Sequence, residues 1–394
     1  MKKSPSTAPL LIQQELRKGR SYLSIAHEHS LDARQVAANS SWIWFNNKEA
    51  DLLDPLVRQC RGLILDSSNN WKVIARPFDS MFEWTHTVAP LRQLDWKTLK
   101  AIDSVDGCQV YMYWNGSVWL VASQGSPDAS DVPHRHQANL RDIFWHAFAS
   151  LDYTMPPKGF IGCTFIWEVV GPKLCPVAFN RAPKNSNQLY LVGVRNNETG
   201  EELNPEIFAD QEIRPYITPF VDESDYKTVK EVADAVVETG LRYGKGYVLV
   251  DKHFNRVLVT HPEYNAAREF RAKLSVEWII NNIQSRLPEL EVRRYAPDWL
   301  ELYDMIAHGY ADLMRRVWKA WELHQHTTDP QTFRDEIIHY PFSSILFRLR
   351  AKSIATVSEG LRATQPNTLL TWMEIGDDVK PVRLVVDNDR KEAS

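Results

Sequence analysis

Four charged residues stand out by the company they keep. Glu168 interrupts the apolar run Phe165-Ile166-Trp167-Glu168-Val169-Val170, where a carboxylate needs a partner, since burying an unpaired charge is costly. It either holds a ligand hydroxyl or closes a structural pair with Arg61 or another base. Arg61, after Cys60 in Gln59-Cys60-Arg61-Gly62, suits a phosphate or, more plainly, an ion pair. Lys245 stands between Gly244 and Gly246. Glycines let backbone approach an anion closely, but an exposed hairpin lysine is the plainer reading. Asp106-Gly107 reads as turn chemistry. His134-Arg135-His136 has no Cys or acidic partner at ligand spacing and reads as a solvated loop, not a metal site. Trp42, Trp44 and Phe45 could stack on bases, but alternation along a strand makes them core, with Trp42 and Trp44 on one face.

These residues sit in short apolar runs bounded by Gly, Asn, Asp and Pro, such as Leu63-Ile64-Leu65, Val118-Trp119-Leu120-Val121-Ala122 and Tyr247-Val248-Leu249-Val250. Length and β-branched or aromatic content make them strands. Asn115-Gly116 between two of them is a hairpin signal. A helix over Asp225 to Val237, with Val229, Val232, Ala235 and Val236 on one face, makes the region an antiparallel-rich α+β domain. From about Pro262 the period becomes helical: Tyr303, Ile306, Tyr310, Leu313, Val317 and Trp321 follow 3–4 spacing. Pro341 ends or kinks a later helix. The expected divisions are an N-terminal helical cap over 1–40, an α+β domain over 41–265, a helical domain over 266–379 and a frayed tail over 380–394.

The 394 residues are 44% hydrophobic and 24% charged, as in a globular protein. A net charge of −4 gives no support to a broadly basic nucleic-acid surface, so any such surface is local. Cys60, Cys108, Cys163 and Cys175 show no C-x-x-C spacing and indicate neither zinc nor a disulfide framework. No signal peptide or spanning segment is legible, which points to the cytoplasm, and to a host cytoplasm if the gene is a phage's.

The order of several segments resembles the ATP-dependent RNA ligases of the T-even phage type, the phage RNA ligase 1 family, over roughly 300 residues. Gln59-Cys60-Arg61-Gly62 is similar to their E-C-R-G, and Arg76-Pro77-Phe78-Asp79-Ser80-Met81-Phe82-Glu83 to R-P-x-x-K-F-F-N. Ser104-Val105-Asp106-Gly107 falls at the nucleophile motif K-x-D-G, and Ser123-Gln124-Gly125-Ser126 at [ST]-[KR]-G-S. The strand with Glu168 matches the one whose glutamate contacts the nucleotide ribose. Val194-Arg195-Asn196-Asn197-Glu198-Thr199-Gly200-Glu201 is close to V-R-x-N-E-T-G-E. Lys245-Gly246-Tyr247-Val248 falls at E-G-hydrophobic-V, and Leu258-Val259-Thr260 at the terminal K-x-K.

The resemblance implies a nucleotidyltransferase (ATP-grasp-like ligase) domain followed by an all-α domain. In such enzymes a lysine attacks the α-phosphate of ATP, and its phosphoramidate passes AMP to an RNA 5′-phosphate. Here Ser104 replaces that lysine. Leu258 and Thr260 replace the phosphate-holding lysines, Gln124 and Ser80 two further basic residues, and Lys245 the metal-assisting glutamate. Arg61, Phe82, Asp106, Gly107 and Glu168 remain. The expectation is a pseudo-enzyme that binds a protein or RNA partner, with no catalytic residue, metal or cofactor. ATP and Mg enter only under the alternative of an active RNA-repair ligase with a displaced nucleophile such as Lys245. A non-catalytic nucleotide sensor is the other alternative.

Overall fold

The computed structural model describes residues 9–47, 50–87, 89, 91–132, 138–171, 174, 186–203, 220–221, 227–239, 245–283 and 286–375. The sequence calls on His134-Arg135-His136, on Cys175 and on the tail 380–394 lie outside them. The chain divides into two compact units at Ala266/Ala267. The first is α+β with mainly antiparallel sheets and the second is helical, which is the fold class read from the sequence.

In the first unit, helices α1 (Leu11–Arg17) and α2 (Tyr22–Glu28) precede a sheet of β1 (Asp32–Val36), β2 (Asn39–Asn46), β3 (Leu63–Asp66) and β4 (Lys72–Ala75), paired in that order. The helical reading of residues 1–40 is corrected here, because Asp32–Val36 is a strand. Its Asp-Ala-Arg-Gln-Val sequence carries no apolar run, since it lies at the sheet edge, where Arg34 packs over the Trp44 ring at 5.5 Å. Short α3 (Pro55–Arg58) is capped by Asp54, whose carboxylate accepts from the Leu56 N–H.

Further strands follow: β5 (Phe82–Glu83), β6 (Lys100–Ser104), β7 (Cys108–Trp114), β8 (Trp119–Ser123), β9 (Cys163–Val170), β10 (Gln188–Asn196), β11 (Glu202–Leu203), β12 (Phe220–Val221), β13 (Gly246–Val250) and β14 (Arg256–Thr260). They form two five-stranded sheets, ordered β11-β10-β9-β7-β8 and β12-β6-β13-β14-β5. Helix α4 (Leu140–Ser150) buries Phe144, Ala147 and Phe148 in the core with Phe165, Trp167 and Val169 of β9. Helix α5 (Val229–Thr239) places Val229, Val232 and Val236 in the core of the other sheet. Trp42 and Trp44 are buried with Tyr111 and Tyr113, while Ile43 and Phe45 pack under the N-terminal helices. The aromatic alternation is therefore core.

Helix α6 (Pro262–Lys273) carries the unit boundary. The second unit adds α7 (Val276–Asn282), α8 (Arg286–Tyr295), α9 (Leu300–His324), α10 (Pro330–Ile337), α11 (Ser343–Arg350), α12 (Val357–Arg362) and α13 (Pro366–Trp372). The apolar stripe of α9 buries Tyr303, Ile306, Tyr310, Leu313 and Val317 at its centre. Pro341 falls between α10 and α11, where its missing N–H interrupts no helix.

Candidate functional site

Three strands bring several of the sequence-flagged residues into register. Ser104, Gly246 and Thr260 lie opposite one another across β6, β13 and β14; Ile102, Val248 and Leu258 form the next row, and Lys100, Val250 and Arg256 the third. Strand side chains alternate between faces, so these rows share one face. The alternate residues Ala101, Tyr247, Leu249, Val257 and Val259 point the other way, into the core under α5. The middle row is wholly aliphatic and half-buried.

The Ser104 row is tightly held. Gly246 has a φ of +143°, and a Cβ there would fall 2.0 Å from the Val259 carbonyl oxygen, so only glycine fits. The Lys245 N–H donates to the Ser104 carbonyl at 3.0 Å, and the Lys245 carbonyl accepts from the His261 N–H at 2.8 Å. Lys245 is thus anchored by its backbone beside Ser104. Glu83, on β5 next to β14, clamps Thr260: it accepts the Thr260 N–H at 2.9 Å and its hydroxyl at 2.5 Å. A carboxylate therefore sits against the end of β14. Among the described residues no three His, Cys, Asp or Glu side chains gather at metal-binding distance.

Asp106 is buried, and its Oδ1 accepts the Tyr264 hydroxyl of α6 at 2.7 Å. Gly107 is not in the left-handed region; a Cβ there would lie 2.6 Å from the Val169 carbonyl oxygen of β9. The turn reading of Asp106-Gly107 is corrected accordingly: a buried hydrogen bond and a close strand approach require these residue types. Glu168 stands on β9 opposite Gln109 of β7 and Tyr190 of β10. Arg61 donates from Nε to Gln124 Oε1 at 3.3 Å. Beyond Gln124, the Gly125 and Ser126 N–H groups donate to the Ser123 hydroxyl at 3.1 and 3.0 Å, so they are spent within the loop. Phe82 is buried, stacked on His86, with Arg58 over its ring at 5.6 Å.

A cavity of about 210 Å³ opens beside Ser80 and Phe82, lined also by Arg58, Arg195, Arg256 and Glu202. Sequence reasoning missed these arginines, Glu83 and Tyr264. For Glu83 a signal was available: it stands at the asparagine of R-P-x-x-K-F-F-N.

No protein-family model matches the chain. It is similar in sequence to an RNA ligase of Rhodothermus phage RM378, 21% identical over an alignment of 333 residues that takes in 67% of this chain and 71% of that protein. An archaeal ATP-dependent RNA ligase structure overlaps 73% of this chain and 72% of its own, at 14% identity and a TM-score of 0.46. An RNA ligase mutant of Naegleria gruberi with ATP and Mn overlaps 48% of this chain at 12% identity and a TM-score of 0.36; the overlap spans only 57% of that chain. Among the described residues no helix is long and apolar enough to cross a membrane.

Proposed function

We propose that this chain is an RNA-ligase-like pseudo-enzyme of nucleotidyltransferase type, which binds a protein or RNA partner without transferring AMP. The register of the three rows carries the reading. The place of the attacking amine holds a Ser104 hydroxyl, and the next row is aliphatic. Thr260 presents its hydroxyl to Glu83 instead of a cation to a phosphate. A charge-assisted contact to phosphate is typically worth about 1.5–3 kcal/mol. Losing two or three weakens binding by several orders of magnitude at about 1.4 kcal/mol per factor of ten. An adenylylated serine would be a phosphodiester, far more stable than a phosphoramidate and a dead end for transfer.

Incubation with ATP and Mg2+ should leave the intact mass unchanged. A gain of one AMP, lost in Lys245→Ala, would replace this reading with an active ligase using a displaced nucleophile. Calorimetry at low salt should show ATP binding no tighter than millimolar. A micromolar affinity abolished by Glu168→Ala would establish a nucleotide sensor instead.

A further inference from the structure

Among the described residues, the cavity beside Ser80 has more positive charge than its own carboxylates can match. Three guanidinium groups, Arg58, Arg195 and Arg256, line it against two carboxylates, Asp79 and Glu202. Arg195 is committed: Nη1 donates to Asp79 at 2.9 Å and to the Pro77 carbonyl at 2.8 Å, and Nε to the Gly200 carbonyl at 3.1 Å. Arg256 pairs with Glu202 and lies over the Phe78 ring at 4.1 Å. Its side chain is only 9% exposed, yet among the described residues its buried Nε–H has no acceptor. Arg58 donates from Nη1 to the Leu52 and Leu53 carbonyls, the second at 3.3 Å.

A fourth guanidinium, Arg76, stands close behind: a Cβ on Gly200 would fall 2.2 Å from its Nη1, and its Nε–H too is buried without an acceptor among the described residues. Burial first, and then repulsion from Arg195, hold its pKa down to about 10. A buried donor left without an acceptor is strongly destabilising, and ordered water would supply an acceptor but no negative charge. A purely structural junction would be complete with two arginines for two carboxylates.

We propose that this cavity binds a phosphoryl oxyanion, with Arg58 and Arg256 as donors and Arg195 and Arg76 supplying positive potential. Its size admits a phosphate group and leaves the rest of a nucleotide chain outside. Arg256 lies four residues before Thr260 on β14, roughly 13 Å at the rise of an extended strand, so its backbone stands two rows from Ser104. The site stands independently of the pseudo-enzyme reading.

The test is thermal melting in inorganic phosphate against chloride at matched ionic strength, with Arg58→Gln as the surface variant and Arg256→Gln checked for folding by circular dichroism. Phosphate should raise the melting temperature of the native protein, and Arg58→Gln should weaken the apparent phosphate affinity at least tenfold. Equal melting in both salts, or a phosphate effect unchanged in Arg58→Gln, would overturn the proposal. Fluorescence anisotropy then separates the sources. A 5′-phosphorylated oligoribonucleotide that binds tenfold more tightly than its 5′-hydroxyl form, and is competed by inorganic phosphate, places a strand terminus in the site. Equal binding of the two, with phosphate still stabilising, assigns it to free phosphate. Neither readout depends on AMP transfer, so the two proposals fail separately.

Discussion

The two faces of the sheet β12-β6-β13-β14-β5 are built from the same strands and answer to different demands. On one, Ala101, Tyr247, Leu249, Val257 and Val259 close over Val229, Val232 and Val236 of α5. On the other stand Ser104, Gly246, Thr260 and the aliphatic row Ile102, Val248 and Leu258. The first face is fixed by burial, because interior packing leaves no room for a change of volume. The second is constrained along its Ser104 row by Gly246, by the Lys245 backbone hydrogen bonds and by the Glu83–Thr260 clamp. A sheet can thus keep its architecture while the side chains over its open face change charge and size.

Substitutions on the two faces measure that difference. Leu249→Ala, at a fully buried site, should cost about 2–5 kcal/mol in urea unfolding. Leu258→Ala, half-buried on the open face, should cost about 1 kcal/mol or less. Equal losses would show that the open face is packed like a core. Gly246→Ala tests the backbone constraint. With φ at +143° and an obstructing carbonyl at 2.0 Å, it should lose about 1–3 kcal/mol or more although it removes no contact.

Tyr264→Phe deletes the donor to buried Asp106 and should cost about 1–3 kcal/mol by the same unfolding assay. The smallest effect belongs to the turn joining β13 and β14. Burial of Asp251 raises its pKa, but hydrogen bonds from Asn255 and from the Asp95, His253 and Asn255 N–H groups more than offset this, leaving it below the ordinary 3.8. A depressed folded-state pKa contributes stability that is full above the unfolded value and lost as pH falls through the folded one. Asp251→Asn should therefore be less stable than the native protein at neutral pH, with the gap closing below about pH 4. A gap that persists undiminished at pH 2 would show that the carboxylate charge is not what holds this turn.

Most of the α+β core was legible because strands such as Leu63-Ile64-Leu65 and Tyr247-Val248-Leu249-Val250 are continuous apolar runs, and α9 was legible from its 3–4 stripe. Strand β1 was not, since a polar edge strand has neither signal. The site was legible as positions but not as relations. Ser104 and Thr260 could be marked one by one, yet their common row, through Gly246, depends on β6 and β13 pairing across more than a hundred residues. The Glu83–Thr260 clamp spans 177 residues, and no local pattern encodes it. Asp106-Gly107 shows the reverse failure: the residue types suggest a turn, while the reason for them lies in Tyr264 and the Val169 carbonyl.

The Trp44 indole N–H donates to the Tyr111 hydroxyl at 3.0 Å, and that hydroxyl donates to the Gly62 carbonyl at 2.7 Å, one residue from Arg61. Trp44 itself is fully buried. This relay makes one tryptophan of the chain's 14 an internal spectroscopic probe. A ligand that moves the Arg61 segment alters the polarisation along the relay and shifts the Trp44 indole proton resonance. Nuclear magnetic resonance of a single indole thus detects such a ligand without a label on it.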